Sequence, residues 1–260
     1  MAASADGIPI RYEVRGAGAP AMVFVHGWSC DRGYWKSQLE HFAKKYRVVA
    51  IDLAGHGESG LGRKAWTMPA FGDDVVAVVE QLGLEQVVLI GHSMGGDVIV
   101  PAARRMPARV RGLVWVDTYR TLGSPRTRDE VDKFLAPLRA DFVTTTRQLV
   151  RSMFRPGSDT ALVERVAADM SAAPPQVALG AVEEAITFDR AIMEHLPAVK
   201  APVVALNADH QPTDVEALQL HGVETVVMSG VGHFLMMEDP ERFNRILEDV
   251  VVGFGGSTTP

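Results

Sequence analysis

The chain has 260 residues, of which 47% are apolar and 22% charged, a balance that supports a substantial buried core. The net charge of −6 and the lack of a basic run exclude an ordinary nucleic-acid-binding surface. A single cysteine, Cys30, rules out an internal disulfide and fits a reducing, cytoplasmic setting. The first residues have neither a basic start nor an apolar stretch, so no signal peptide is expected, and no run approaches membrane-spanning length.

Strand-like and helix-like patterns alternate along the chain, which predicts an α/β protein with a mostly parallel sheet covered by helices on both faces. Strands are expected at Ile8–Val14, Met22–Val25, Val48–Ile51, Val87–Ile90, Leu113–Val116, Val203–Leu206 and Thr225–Met228. Helices are expected at Trp35–Lys44, Phe71–Leu82, Asp97–Arg105 and Pro240–Val251, the last entered through a proline. Gly253 to Pro260 is expected to be a frayed tail. From Tyr119 to Leu196 the alternation stops, and short helices broken by proline and glycine follow one another. Phe134 and Leu138 share one helical face, and Leu149 and Met153 another.

The motif that carries chemistry is Gly91-His92-Ser93-Met94-Gly95, set between the strand ending at Ile90 and a helix. A G-x-S-x-G in that setting is a nucleophile elbow. The turn is so sharp that only small residues fit two positions either side of the serine. The serine is held in a strained backbone with its hydroxyl exposed, beside the free N–H groups of a helix start. A serine hydroxyl needs a base, and His233 has the context of one: Gly230-Val231-Gly232 precedes it, the last strand lies before that, and a helix follows. His41, His195, His210 and His221 lack such a context and are expected on the surface. No grouping of histidine and carboxylate has metal-ligand spacing, so neither a metal nor another cofactor is expected. Cys30 has no partner that would activate it and is expected to be a packed thiol.

Four segments taken together resemble the α/β-hydrolase fold superfamily: Met22–Trp28 ending in His26-Gly27, Val48–Ser59 with its Gly-rich loop, the elbow, and Gly230–His233 followed by Asp239-Pro240. The likeness spans roughly residues 8–252 and is closest to the small esterase, haloperoxidase-like and C–C-hydrolase branch. It implies a core formed by residues 1–118 and 197–260, with a helical cap, 119–196, inserted after the sixth strand of the fold, the one ending at Val116. It also implies backbone N–H groups of Trp28 and Met94 as an oxyanion hole, and His26 and His56 as structural braces. His92 fills the variable elbow position and is expected to pack beside the sheet. Trp28, Phe134, Leu138, Met153 and Phe234 are expected to line an apolar pocket.

The sequence departs from the superfamily at the acid. The customary position after the seventh strand holds Gln211, which cannot stabilise an imidazolium as a carboxylate does. Asp117, at the end of the sixth strand, and Asp209, two residues before Gln211, are the two substitutes. Asp117 is preferred because it requires no distortion of the loop. The reading is a cofactor-free carboxylesterase acting on small to medium apolar esters. A hydrolase of C–C bonds in vinylogous diketones and a haloperoxidase- or perhydrolase-like enzyme would use the same residues. A ligand receptor on a hydrolase scaffold is the alternative from another class, and retention of both serine and histidine argues against it. The oligomeric state is not legible.

Overall fold

Runs of valine, isoleucine and leucine with no polar interruption form strands buried on both faces, the pattern of a parallel sheet. The computed structural model describes residues 1–255. Its first half contains β1 (Ala2–Ala3), β2 (Pro9–Ile10), β3 (Tyr12–Arg15), β4 (Ala21–Val25), α1 (Lys36–Phe42), β5 (Val48–Ile51), α2 (Met68–Gln81), β6 (Val87–His92), α3 (Met94–Arg105) and β7 (Val110–Val116). Four helices follow: α4 (Arg128–Ala140), α5 (Phe142–Ser152), α6 (Thr160–Ser171) and α7 (Pro175–His195). The chain closes with β8 (Val203–Ala208), α8 (Val215–Gln219), β9 (Val223–Met228), α9 (Leu235–Glu238) and α10 (Pro240–Gly255).

Seven strands form one sheet in the order β3-β5-β4-β6-β7-β8-β9, with only β3 antiparallel to its neighbour. This is the α/β-hydrolase arrangement expected from the sequence. β4, β5 and β6 are buried throughout, and Trp35, Phe24, Phe42 and Phe243 pack among the largest fully buried side chains. No strand lies between β7 and β8 among the described residues. No helix among them is long and apolar enough to cross a membrane.

Several boundaries differ from expectation for identifiable reasons. The strand foreseen at Ile8–Val14 is split at Arg11, whose N–H donates to Ser59 Oγ and whose carbonyl accepts from Asp52. Its first piece instead pairs with β1, a two-residue strand too short to show a pattern. The helix foreseen at Trp35 begins at Lys36, because a 3-10 turn occupies Arg32–Trp35. α2 starts earlier than foreseen, at Met68, behind a Thr67 cap whose hydroxyl accepts from the Ala70 N–H. α3 starts at Met94 because Ser93 itself is the cap position. The closing helix continues through Gly253–Gly255, so that part of the foreseen tail is helical, while 256–260 lie outside the described residues.

The loop after β5 is tied down by charge. Asp52, fully buried, accepts from the Arg32 and Glu58 N–H groups and pairs with the Arg32 guanidinium. Asp74 on α2, also fully buried, accepts from the Ala54 N–H at 2.9 Å and from the buried Arg63 guanidinium. Removing one partner of such a pair strands a buried charge. Arg63→Met is therefore expected to lower unfolding free energy by about 3–5 kcal/mol in urea titration. A loss below about 1 kcal/mol, the value of an exposed pair, would show that Arg63 is dispensable.

Candidate active site

Strand register brings the site together. In the parallel pair β6–β7, His92 stands opposite Val116, so the next residues, Ser93 and Asp117, leave adjacent strand ends side by side. β8 and β9 continue the same edge and deliver the loops carrying Asp209 and His233. Ligand sites of open α/β sheets lie at this carboxyl edge.

The turn at Ser93 is forced. Its φ of 52° and ψ of −122° lie in a region that L-residues rarely adopt. A side chain on Gly91 would run into the Gly95 carbonyl, and one on Gly95 into the Val25 carbonyl, which is why both positions hold glycine. The Ser93 N–H donates to Val116 O at 2.9 Å, and Thr118 Oγ1 donates to Ser93 O at 3.1 Å. Ser93 Oγ itself makes no hydrogen bond among the described residues. It opens into a cavity of about 480 Å³ that His233 also lines.

His233 is held from several sides. Its Nδ1 lies 2.7 Å from Asp117 Oδ2, and its N–H donates to Met153 O, at the end of α5, at 2.9 Å. His92 Nε2 lies 2.9 Å from His233 O; a carbonyl cannot donate, so this nitrogen carries the proton. Burial first, and then the neighbouring His233, hold the His92 imidazole down to about 3, so it is a neutral donor. His92 therefore does more than pack beside the sheet: it links the elbow to the His233 loop.

Asp117 is buried, with its own φ at 51°. Besides His233 it accepts from the Ala208 N–H at 2.8 Å and from Arg120 Nη2 at 2.6 Å. Burial pushes its carboxyl up, but the hydrogen bond and charge of His233, with Arg120, outweigh that and hold it below the usual range. The other candidate, Asp209, is directed elsewhere: its Oδ1 accepts from the Gly230 N–H and from Arg155, each at 2.8 Å. Gln211 lines the cavity, and its carbonyl accepts from Arg120 Nη1 at 2.7 Å. Arg120, which the sequence reading passed over, thus clamps the Asp117 carboxylate to the loop where the customary acid would stand.

The Trp28 N–H donates to no protein acceptor among the described residues, and the Met94 N–H opens α3. Trp28 also walls the cavity, with its indole Nε1 donating to Ala178 O on α7 at 2.7 Å. His26 Nε2 accepts from the Leu53 N–H at 3.1 Å, and His56 Nδ1 lies 3.0 Å from Ala54 O, so both brace the loop after β5. Cys30 is buried, and that burial pushes its thiol up, away from a reactive thiolate.

Other pocket and surface expectations need correction. Phe134 and Met153 line the cavity, as do Leu149, Val182 and Ile186. Leu138 does not, because it is 1% exposed and is consumed in the packing of the core. Phe234 does not either; it is buried behind His233, stacked on Phe154 at 5.1 Å. The pocket is also not wholly apolar, since Asp97, Tyr119, Arg120, Arg126 and Asp189 line it. Of the four histidines expected on the surface, only His221 is exposed, the other three being part-buried. His210 is half-buried, with Nδ1 3.2 Å from Arg120 Nη2, while His195 packs at a tilt against Phe188 and His41 packs edge-on against Phe42. No cluster of metal-ligating side chains is present among the described residues.

Replacing His92 with phenylalanine would keep the ring and remove the hydrogen bond to the His233 carbonyl. A neutral bond of about 1 kcal/mol corresponds to a rate reduced roughly fivefold. His92→Phe is expected to show that loss in kcat with melting temperature largely retained. Unchanged kcat would show that His92 does not position His233.

Known proteins share this fold. The chain is 32% identical over 164 residues to the dihydrolipoyllysine-residue acetyltransferase component of the acetoin cleaving system of Cupriavidus necator, a match covering 59% of this chain and 44% of that one. It is 40% identical over 104 residues to a bifunctional esterase/perhydrolase of Acinetobacter calcoaceticus, covering 39% of this chain and 38% of the relative. These matches span under half the length of either curated relative. Among solved structures, a thermophilic esterase from Thermogutta terrifontis superposes with a TM-score of 0.83 at 26% identity, covering 97% of each chain. The model of the alpha/beta hydrolase family matches residues 22–246, and the chain belongs to that family.

Proposed function

We propose that this member of the family is a serine hydrolase, a carboxylesterase in which Ser93, His233 and Asp117 form the triad. The observation that carries the reading is the 2.7 Å contact between His233 Nδ1 and Asp117 Oδ2, on a histidine that shares one cavity with Ser93. Asp117 fixes the proton on Nδ1, leaving Nε2 free to take the proton of the Ser93 hydroxyl. Ser93 Oγ attacks the ester carbonyl, and the N–H groups of Trp28 and Met94 receive the oxyanion. The proton held by His233 passes to the departing alcohol. Water then attacks the acyl-enzyme, with His233 again as base, and the acid leaves.

The segment 119–196 acts in this reading as a cap. Phe134, Leu149, Met153, Val182 and Ile186 supply an apolar roof for the body of a small to medium ester. A perhydrolase reading has one observation in its favour, the similarity to the esterase/perhydrolase. It shares the acyl-enzyme and differs in the second nucleophile, so diversion of the acyl group by added hydrogen peroxide distinguishes the two.

A fluorophosphonate is expected to label the peptide carrying Ser93, and Ser93→Ala to abolish both labelling and p-nitrophenyl ester turnover. Labelling elsewhere, or undiminished turnover in the alanine variant, would overturn the mechanism. The acid is tested separately. Asp117→Asn is expected to lower kcat by on the order of 10⁴, as in a well-studied protease triad. Asp209→Asn should lower it less than about tenfold, the scale of one lost hydrogen bond. The opposite ranking would move the acid to the loop after β8.

A further inference from the structure

The loop that carries His233 is fastened to the turn between α5 and α6, residues 153–159, at several points. The His233 N–H donates to Met153 O at 2.9 Å, and a side chain on Gly232 would run into that same carbonyl. Phe154 of the turn stacks on Phe234. Two carboxylates complete the join, and both work alike. Asp209 Oδ1 accepts from the Gly230 N–H and from Arg155 Nη1, each at 2.8 Å. Glu238 Oε1 accepts from the Gly232 N–H at 2.9 Å, while its Oε2 accepts from the Ser158 hydroxyl at 3.0 Å. Each carboxylate thus holds one amide of the His233 loop and one side chain of the turn.

The two bridges are not equal. Asp209 is exposed, where water weakens an ion pair, whereas Glu238 is half-buried and holds the residue directly before His233. The joined turn also faces the cavity, since Leu149 and Ser152 at the end of α5 line it together with Met153. The residue whose carbonyl receives the His233 N–H is therefore itself part of the cavity wall.

Building on the serine-hydrolase reading, we propose that Glu238 is a positioning residue. It does not line the cavity; it acts through the Gly232 amide, fixing the His233 loop to the turn after α5. The segment that roofs the substrate then also sets where the general base stands. The bridge requires an acceptor facing Gly232 and a partner for the Ser158 hydroxyl, which a glutamine supplies as well as a carboxylate does.

The test counts active sites by fluorophosphonate labelling taken to completion, so that kcat for a p-nitrophenyl ester is read per competent enzyme. Glu238→Ala is expected to lower kcat on the order of tenfold with KM nearly unchanged. That loss lies between the roughly fivefold of one missing neutral hydrogen bond and the roughly 10²-fold of a 1 Å misplacement. Glu238→Gln should recover most of the rate. Ser158→Ala, at the far end of the bridge, should lower kcat by roughly fivefold or less and add little to Glu238→Ala, because the two residues share one network. It removes a single hydroxyl and carries the test if the alanine variant at 238 does not fold. Amide hydrogen exchange gives a readout independent of activity: Gly232 and His233 should exchange faster in Ser158→Ala, although Ser158 bonds to neither. A Glu238→Ala enzyme that melts earlier but keeps its kcat per active site would overturn the inference. So would a glutamine variant as slow as the alanine one, or unchanged exchange at Gly232 and His233 in Ser158→Ala. Each of these leaves the hydrolase reading intact. Absent ester turnover together with absent labelling of Ser93 in the wild-type protein would overturn that reading and the role of Glu238 with it.

Discussion

The Asp117 carboxylate gathers donors from three separate stretches of chain: His233 after β9, the Ala208 amide at the end of β8, and the Arg120 guanidinium just beyond β7. Without it, the loops at the carboxyl edge of the sheet would have no common anchor. The anchor is also electrostatic. Three donors around one buried carboxylate offset its desolvation and keep it ionised beside the imidazole. Arg120 extends the clamp through the carbonyls of Ala208 and Gln211, so the loop after β8 is held to the same carboxylate.

Backbone strain marks the same region. Among the described residues, three that are not glycine have φ in the left-handed range: Ser29, Ser93 and Asp117. Ser29 follows the Trp28 turn, and Ser93 and Asp117 leave paired strand ends. Such conformations cost of order 1–3 kcal/mol each and persist only where the surroundings hold them. The glycines around Ser93 let the backbone close in, the parallel register fixes where each strand ends, and the fully buried Asp52 and Asp74 tie down the neighbouring loop. Stability built into the sheet and its charged ties thus maintains an unfavourable local geometry around the cavity that Ser93, His233 and Asp117 line.

Much of this was legible in the sequence because it was written locally. The strands announced themselves as uninterrupted apolar runs, and Ser93 and His233 each stood in a short context whose shape has a steric cause. The choice between Asp117 and Asp209 was harder, because both are strand-end aspartates; only the register of β6 with β7 and the direction of each side chain separate them. Arg120's hold on the loop after β8 and the hydrogen bond from His92 were missed for the same reason, since the Ala208 and Gln211 carbonyls lie 88 and 91 residues from Arg120 and the His233 carbonyl 141 from His92. The polar end of the cavity was hidden too. Asp97 reads as an ordinary first-turn acid of α3, and Asp189 as one charge among several on α7, until folding sets them on one wall. Leu138 and Phe234 erred in the other direction: their apolar character was correctly seen, but buried packing rather than the cavity consumed it.

The central claim is that Asp117 dictates which nitrogen of His233 carries the proton. Nitrogen-15 NMR of the histidine-labelled protein, recorded where the imidazole is neutral, reads this directly. The account predicts a His233 ring with its proton on Nδ1 and Nε2 bare, a pattern unchanged in Asp209→Asn and lost in Asp117→Asn. A neutral ring protonated on Nε2 in the wild-type protein, or a tautomer indifferent to Asp117→Asn, would contradict it.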